Sequence, residues 1–151
     1  MRGTWDLLGL DRIATAIFCQ VDLSTGEVRL VSAGHPPPLL VSGGVATFLE
    51  AVPTTPLGAP DAPVTEWLGM LGRGETLLFY TDGLTEVFRG EEEFGPERLM
   101  DEFSKCPGER ADVILDSLWA TIDDFADGGP QSDDMTALAL CRCAQGTEIP
   151  A

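Results

Sequence analysis

Apolar and polar residues alternate in two short runs between residues 16 and 33, IFCQVDL and EVRLVSA, both rich in Val, Ile and Leu. Side chains on a strand change face at every residue, so these runs predict two half-buried strands, and Ser24-Thr25-Gly26 between them predicts the turn of a β-hairpin. Gly34-His35-Pro36-Pro37-Pro38 then makes a rigid connection, because consecutive prolines fix φ and remove backbone donors. Beyond it, residues 39 to 42 and 45 to 49 flank Gly43-Gly44 and predict a second hairpin. The first half of the chain therefore reads as antiparallel β.

Residues 51 to 63 carry four prolines among small residues and predict an irregular crossing, since strand patterns resume directly after it at 64 to 68. Residues 76 to 81, TLLFYT, are almost wholly apolar, as in a strand buried on both faces. That strand leads straight into Asp82-Gly83. After the acidic loop 90 to 93, Pro96 opens a predicted helix to Lys105 with Leu99, Met100 and Phe103 on one side, stopped by Cys106-Pro107-Gly108. A longer helix is predicted from 109 to 126, where Leu115, Leu118, Ile122 and Phe125 recur at spacings of three and four and face the sheet. A polar turn, 127 to 134, then feeds a last strand, 136 to 143. Strands, two helices and a final strand make an α+β class, with helices packed on mostly antiparallel sheet.

Composition changes this picture in two ways. At 151 residues the chain has the size of one domain or part of one, and 44% hydrophobic against 23% charged residues is the balance of a folding, globular protein. The 25 Asp and Glu against 9 Lys and Arg give a formal charge of -16, the wrong sign for nucleic acid or an anionic membrane surface. No apolar run approaches a membrane span and residues 1 to 15 do not read as a signal peptide, so a cytoplasmic location is expected. Cys19, Cys106, Cys141 and Cys143 show no CxxC spacing and suggest neither a zinc site nor a disulfide framework. Cys141 and Cys143 are expected on one face of the last strand. Trp5, Trp67 and Trp119 are expected as core or partly buried aromatics, and Glu91, Glu92 and Glu93 as a solvated flap.

Two segments place acidic residues beside strand ends, where a scaffold can fix their geometry: Thr81-Asp82-Gly83-Leu84-Thr85-Glu86 and Gln131-Ser132-Asp133-Asp134-Met135-Thr136. Gly83 lets the backbone turn sharply after the strand. If the two turns meet, their carboxylates form a pocket for a hard divalent cation. The plainer reading is that Asp-Gly is turn chemistry and that Ser-Asp-Asp hydrogen-bonds its own backbone.

The ordered segments ATAIFCQVDLSTGEVRLVSAGHPPPLL, PLG, GETLLFYTDGLTE, EEFGPERL and GGPQSDDMTALAL cover residues 14 to 140. Together they resemble the C-terminal part of the SpoIIE-like branch of the metal-dependent protein phosphatase (PPM) family. The resemblance implies a β-sandwich with helices packed outside, in an enzyme that hydrolyses phosphoserine and phosphothreonine in proteins with two Mn²⁺ or Mg²⁺ ions. It makes Asp82 one metal-ligand aspartate and Asp133 another, with Asp134 the less favoured of its pair. His35 matches a loop motif to which we assign a structural, hydrogen-bonding role. The implied partner is a phosphorylated regulatory protein of bacterial signalling, an anti-anti-sigma-type substrate.

The family's pattern also includes a strand ending in a motif like GDVSGHG, whose aspartate bridges both metals. Residues 1 to 15, MRGTWDLLGLDRIAT, offer Asp6 and Asp11 outside any such glycine-rich context. The expectation is a chain lacking the N-terminal portion of the domain: a lead-in at 1 to 15, the C-terminal part of a phosphatase domain at 16 to 143, and a tail at 144 to 151. Sheet edges exposed in this way favour a dimer or association with the missing part. Two alternatives follow, a catalytically inactive phosphatase fold serving as a binding or regulatory module, and a structural cation site without turnover.

Overall fold

The computed structural model of the chain describes residues 13–49, 55–59, 65–105 and 110–143. Its elements in chain order are β1 (Ala16–Val21), β2 (Glu27–Ala33), β3 (Leu39–Ser42), β4 (Val45–Phe48), β5 (Glu66–Met70), β6 (Thr76–Tyr80), β7 (Phe88–Arg89), β8 (Glu92–Glu93), α1 (Gly95–Ser104), α2 (Ala111–Ala126) and β9 (Ala137–Cys141), with a 3-10 turn at Asp82–Leu84. All strand pairs among them are antiparallel, as the α+β reading requires. Most of the expected lead-in and the whole tail lie outside the described residues, with Trp5, Cys106 and most of the proline-rich crossing. The chain divides into two compact units, Met1–Pro37 with Glu50–Met70, and Pro38–Leu49 with Leu71–Ala151.

The first unit holds the sheet β1-β2-β5. Its hairpin is organised by Asp22, whose Oδ1 accepts the amides of Ser24 (2.8 Å) and Thr25 (3.0 Å) and the Ser24 hydroxyl (2.6 Å). Those bonds, the Ser24 hydroxyl first, hold the Asp22 carboxyl down at about 2. β5 runs two residues later than the expected 64 to 68. Gly69 lies inside the strand and pairs with Val28. A Cβ there would fall 2.0 Å from the Trp67 ring, so the glycine makes room for the indole.

The second unit holds the sheet β4-β3-β6-β9 and both helices. β6 is central, and Thr76, Leu77, Leu78 and Tyr80 are all buried, as its unbroken apolar run predicts. Around it Leu39, Val41, Leu84, Phe94, Leu99, Phe103, Ile114, Leu118, Ile122 and Phe125 form one core. In α2 the buried stripe is Ile114, Leu118, Ile122 and Phe125, and Leu115 packs half-buried against the same core. The stripe's spacing of four, four and three places Ile114 one turn before Leu118. α2 ends where Asp127 enters the left-handed region at φ 48, followed by Gly128 at φ 74.

Two further expectations are corrected or refined, and one is met. The last strand stops at Cys141, so Cys143 lies past its end; Cys141 sits 3.4 Å from the Thr76 hydroxyl. The acidic loop is a small exposed hairpin, β7 with β8, in which Glu92 pairs with both Arg89 and Arg98. Those two guanidinium groups lie over the Phe125 ring at 4.7 and 4.9 Å. Trp67 and Trp119 are half-buried, as expected.

Candidate metal centre

The two acidic turns meet. β6 ends at Tyr80, and the chain turns through Asp82, Gly83 and Leu84 in one 3-10 turn, with the Leu84 amide bonding to the Thr81 carbonyl (3.0 Å) and the Thr85 and Glu86 amides to the Asp82 carbonyl (2.8 Å each). Leu84 is fully buried and anchors this turn in the core. The partner turn, 131 to 136, precedes β9 and is held largely by bonds to the first. The Thr81 amide donates to the Thr136 carbonyl (3.0 Å), the Thr81 hydroxyl donates to the Asp134 carbonyl (3.0 Å), and the Ser132 hydroxyl donates to the Glu86 carbonyl (2.8 Å).

Gly83 has a different reason from the one expected. Its φ is not positive. Space is what requires glycine here, because a Cβ would lie 2.5 Å from the Asp134 carbonyl oxygen. The backbones of the two turns approach more closely than any side chain allows.

Asp82, Asp133 and Asp134 are all exposed, and none takes part in an ion pair among the described residues. The local hydrogen bonds of the plainer reading are present: Asp82 Oδ1 accepts the Gly83 amide (3.1 Å), Asp133 Oδ1 the Asp134 amide (2.7 Å), and the Gln131 side chain donates to the Asp133 carbonyl (2.7 Å). The first two bonds each engage one carboxylate oxygen, and the third holds the Asp133 backbone. The donor set is hard oxygen, the kind that suits Mg²⁺ or Mn²⁺, and such ions are commonly held by one or two carboxylates with waters completing the shell. Among the described residues no group of three or more His, Cys, Asp or Glu is placed to hold a metal ion. What the described residues bring together is two turns with exposed carboxylates, oxygen donors of the chemical kind that a hard cation takes.

Sequence reasoning placed both aspartates and named the condition that their turns meet. It did not single out the hydroxyls beside them, Thr81 and Ser132, which join the turns. The available signal was their position, a hydroxyl residue immediately before each aspartate. His35 belongs to the first unit, where its backbone carbonyl accepts the Ser32 hydroxyl at 3.3 Å.

Residues 4–142 match the profile of the family described as Stage II sporulation protein E (SpoIIE). Protein IcfG of Synechocystis sp. is 30% identical over 131 residues, which is 85% of this chain and 20% of that protein. The solved RsbU and RsbW domains of a Mycobacterium tuberculosis protein match at 32% identity and TM-score 0.68, over 86% of this chain and 36% of theirs. The SpoIIE phosphatase domain of Bacillus subtilis, from crystals presoaked with Mn, shares the fold at 18% identity and TM-score 0.71, over 99% of this chain and 63% of that one. The magnesium complex of RsbX matches at 15% identity and TM-score 0.56, over 85% of this chain and 55% of that one. The chain thus spans a fifth of the curated relative and about a third to two thirds of the solved ones.

Proposed function

This chain belongs to the SpoIIE family, and from that premise we propose that it works in the hydrolysis of phosphoserine or phosphothreonine on a regulatory protein in the cytoplasm. The observation that carries the proposal is the contact between the Asp82 and Asp133 turns, which brings the two aspartate-bearing segments together at one end of the β6-β9 pair. Asp82 and Asp133 are the proposed ligands, and Asp134 contributes its backbone carbonyl to the junction. Mn²⁺ or Mg²⁺, two ions in the complete site, would supply an activated water and neutralise the phosphoryl charge for in-line attack. The protein's own part is positioning. Strand β6 and the buried Leu84 anchor the Asp82 turn, and hydrogen bonds between the turns hold the Asp133 turn against it.

A specific observation favours a second reading, a binding module without turnover. The two turns make a short ligand set, since no group of three or more His, Cys, Asp or Glu among the described residues is placed to hold a metal ion. Hydrolysis of a phosphoserine peptide by the purified chain in millimolar Mn²⁺, beside Asp82→Ala and Asp133→Ala, separates the readings. Turnover lost in both variants supports the phosphatase; silence here with activity in an N-terminally extended version makes this chain a part of the enzyme, and continued silence in that version supports the module.

A further inference from the structure

We infer that Thr81 is a positioning residue for the candidate metal centre: its hydroxyl splices the two aspartate turns together at the point where the sheet's own hydrogen bonding stops. The inference rests on the metal reading of Asp82 and Asp133. The pairing of β6 with β9 proceeds in register to Tyr80 opposite Ala137, and the next pair would be Thr81 opposite Thr136. In an antiparallel ladder those residues would exchange amide-to-carbonyl bonds in both directions or in neither. Only one direction is made, from the Thr81 amide to the Thr136 carbonyl at 3.0 Å. The Thr81 carbonyl has left the ladder to accept the Leu84 amide at 3.0 Å, closing the 3-10 turn that carries Asp82.

That departure would strand the Thr136 amide. Instead the Thr81 hydroxyl accepts it at 3.0 Å and, with its own proton, donates to the Asp134 carbonyl at 3.0 Å. A hydroxyl can accept and donate at once. Valine has the same shape and can do neither. The bridged atoms lie on either side of Met135, and the donation lands on the residue next to Asp133, so one side chain sets where the second turn hangs relative to the first. The Asp134 carbonyl it holds is also the atom against which Gly83 is packed. Glycine permits the approach and threonine fixes it.

The test uses the full chain with Thr81→Val, Thr81→Ser and Asp82→Asn, and two readouts. Mn²⁺ alone is titrated by electron paramagnetic resonance, and exchange of the Thr136 amide is followed by NMR on metal-free protein. Thr81→Val is expected to weaken Mn²⁺ binding by about tenfold, as loss of an outer-shell partner does, with Thr81→Ser within about twofold of the unaltered chain. The Thr136 amide is expected to exchange faster in Thr81→Val and not in Thr81→Ser. Equal Mn²⁺ affinity or equal amide exchange in Thr81→Val and the unaltered chain overturns the inference. So does equal damage in Thr81→Ser, which keeps the hydroxyl and settles the matter even if the valine variant fails to fold. An unaltered chain that binds no Mn²⁺, or Mn²⁺ binding unchanged in Asp82→Asn, overturns the metal reading itself and this inference with it. Binding that needs Asp82 but ignores the Thr81 hydroxyl removes the inference alone.

Discussion

The two aspartate turns present similar carboxylates but are built in opposite ways. The Asp82 turn grows from the central strand, closes its own 3-10 hydrogen bonds and inserts Leu84 at 0% exposure. The Asp133 turn has no helical closure of its own, keeps residues 131 to 134 exposed, and takes its order from the other turn through Thr81, Ser132 and Glu86. One is a template and the other is moulded on it. The lesson is that a site can need only one rigid half, provided the second half has enough hydrogen bonds directed at the first.

The strongest way to break the comparison is to remove the template's anchor. Leu84→Ala empties a fully buried position and should cost about 2–5 kcal/mol, whereas Met135→Ala, half-buried in the moulded turn, should cost about 1 kcal/mol. Urea unfolding of both variants measures the difference. Equal costs would mean that both turns are anchored alike. Next in size is Gly83→Ala. The added methyl meets a backbone carbonyl rather than a movable side chain, so relief requires the turns to separate, at about 1–3 kcal/mol. Mn²⁺ affinity should fall with it, and retained affinity would show that the close approach is not what places the ligands.

A smaller change sharpens the picture. Ser132→Ala deletes one exposed bond to the Glu86 carbonyl and should lower stability by no more than about 0.5–1 kcal/mol, because both groups can turn to water. Its larger effect is expected locally, as faster amide exchange across residues 131 to 134 with the Asp82 turn unchanged. Faster exchange in both turns would make the dependence mutual.

This asymmetry also explains what could be read in the sequence. Elements held by their own local chemistry were legible: the Ser24-Thr25-Gly26 and Gly43-Gly44 hairpins, the apolar β6, the Pro96 start of α1 and the end of α2. Errors came where a distant partner decides. β5 is displaced because pairing with β2 carries Gly69 into the strand, and α2 adds Ile114 to the expected stripe, buried more deeply than Leu115, because the core around it chooses the face. In the site, the two acidic turns were legible from their motifs, and the structure meets the condition that they come together. The junction was not, since the roles of Thr81, Ser132 and Gly83 appear only when residues some fifty positions apart in sequence are brought together.

The smallest expected effect concerns the link between the supports of the two turns. α1 follows the template turn and α2 precedes the moulded one, and Glu102 on α1 is buried between a Lys105 ion pair at 2.6 Å and the α2 hydroxyl of Ser117 at 3.2 Å. Burial pushes its carboxyl up, but the Lys105 hydrogen bond and charge, with the Ser117 and Thr121 hydroxyls, outweigh it and leave the group below its ordinary 4.5. A carboxyl depressed in the folded state adds stability that is fully present above its unfolded value and is lost as pH falls through the folded one. The chain should therefore lose part of its stability through this group as pH falls through and below the ordinary glutamate range. Glu102→Gln should be less stable than the unaltered chain at pH 7, and the gap should close as pH falls, which urea midpoints across that range would measure. A gap that stays constant with pH would mean that Glu102 acts by shape and neutral hydrogen bonding, and that its charge does not couple the two supports.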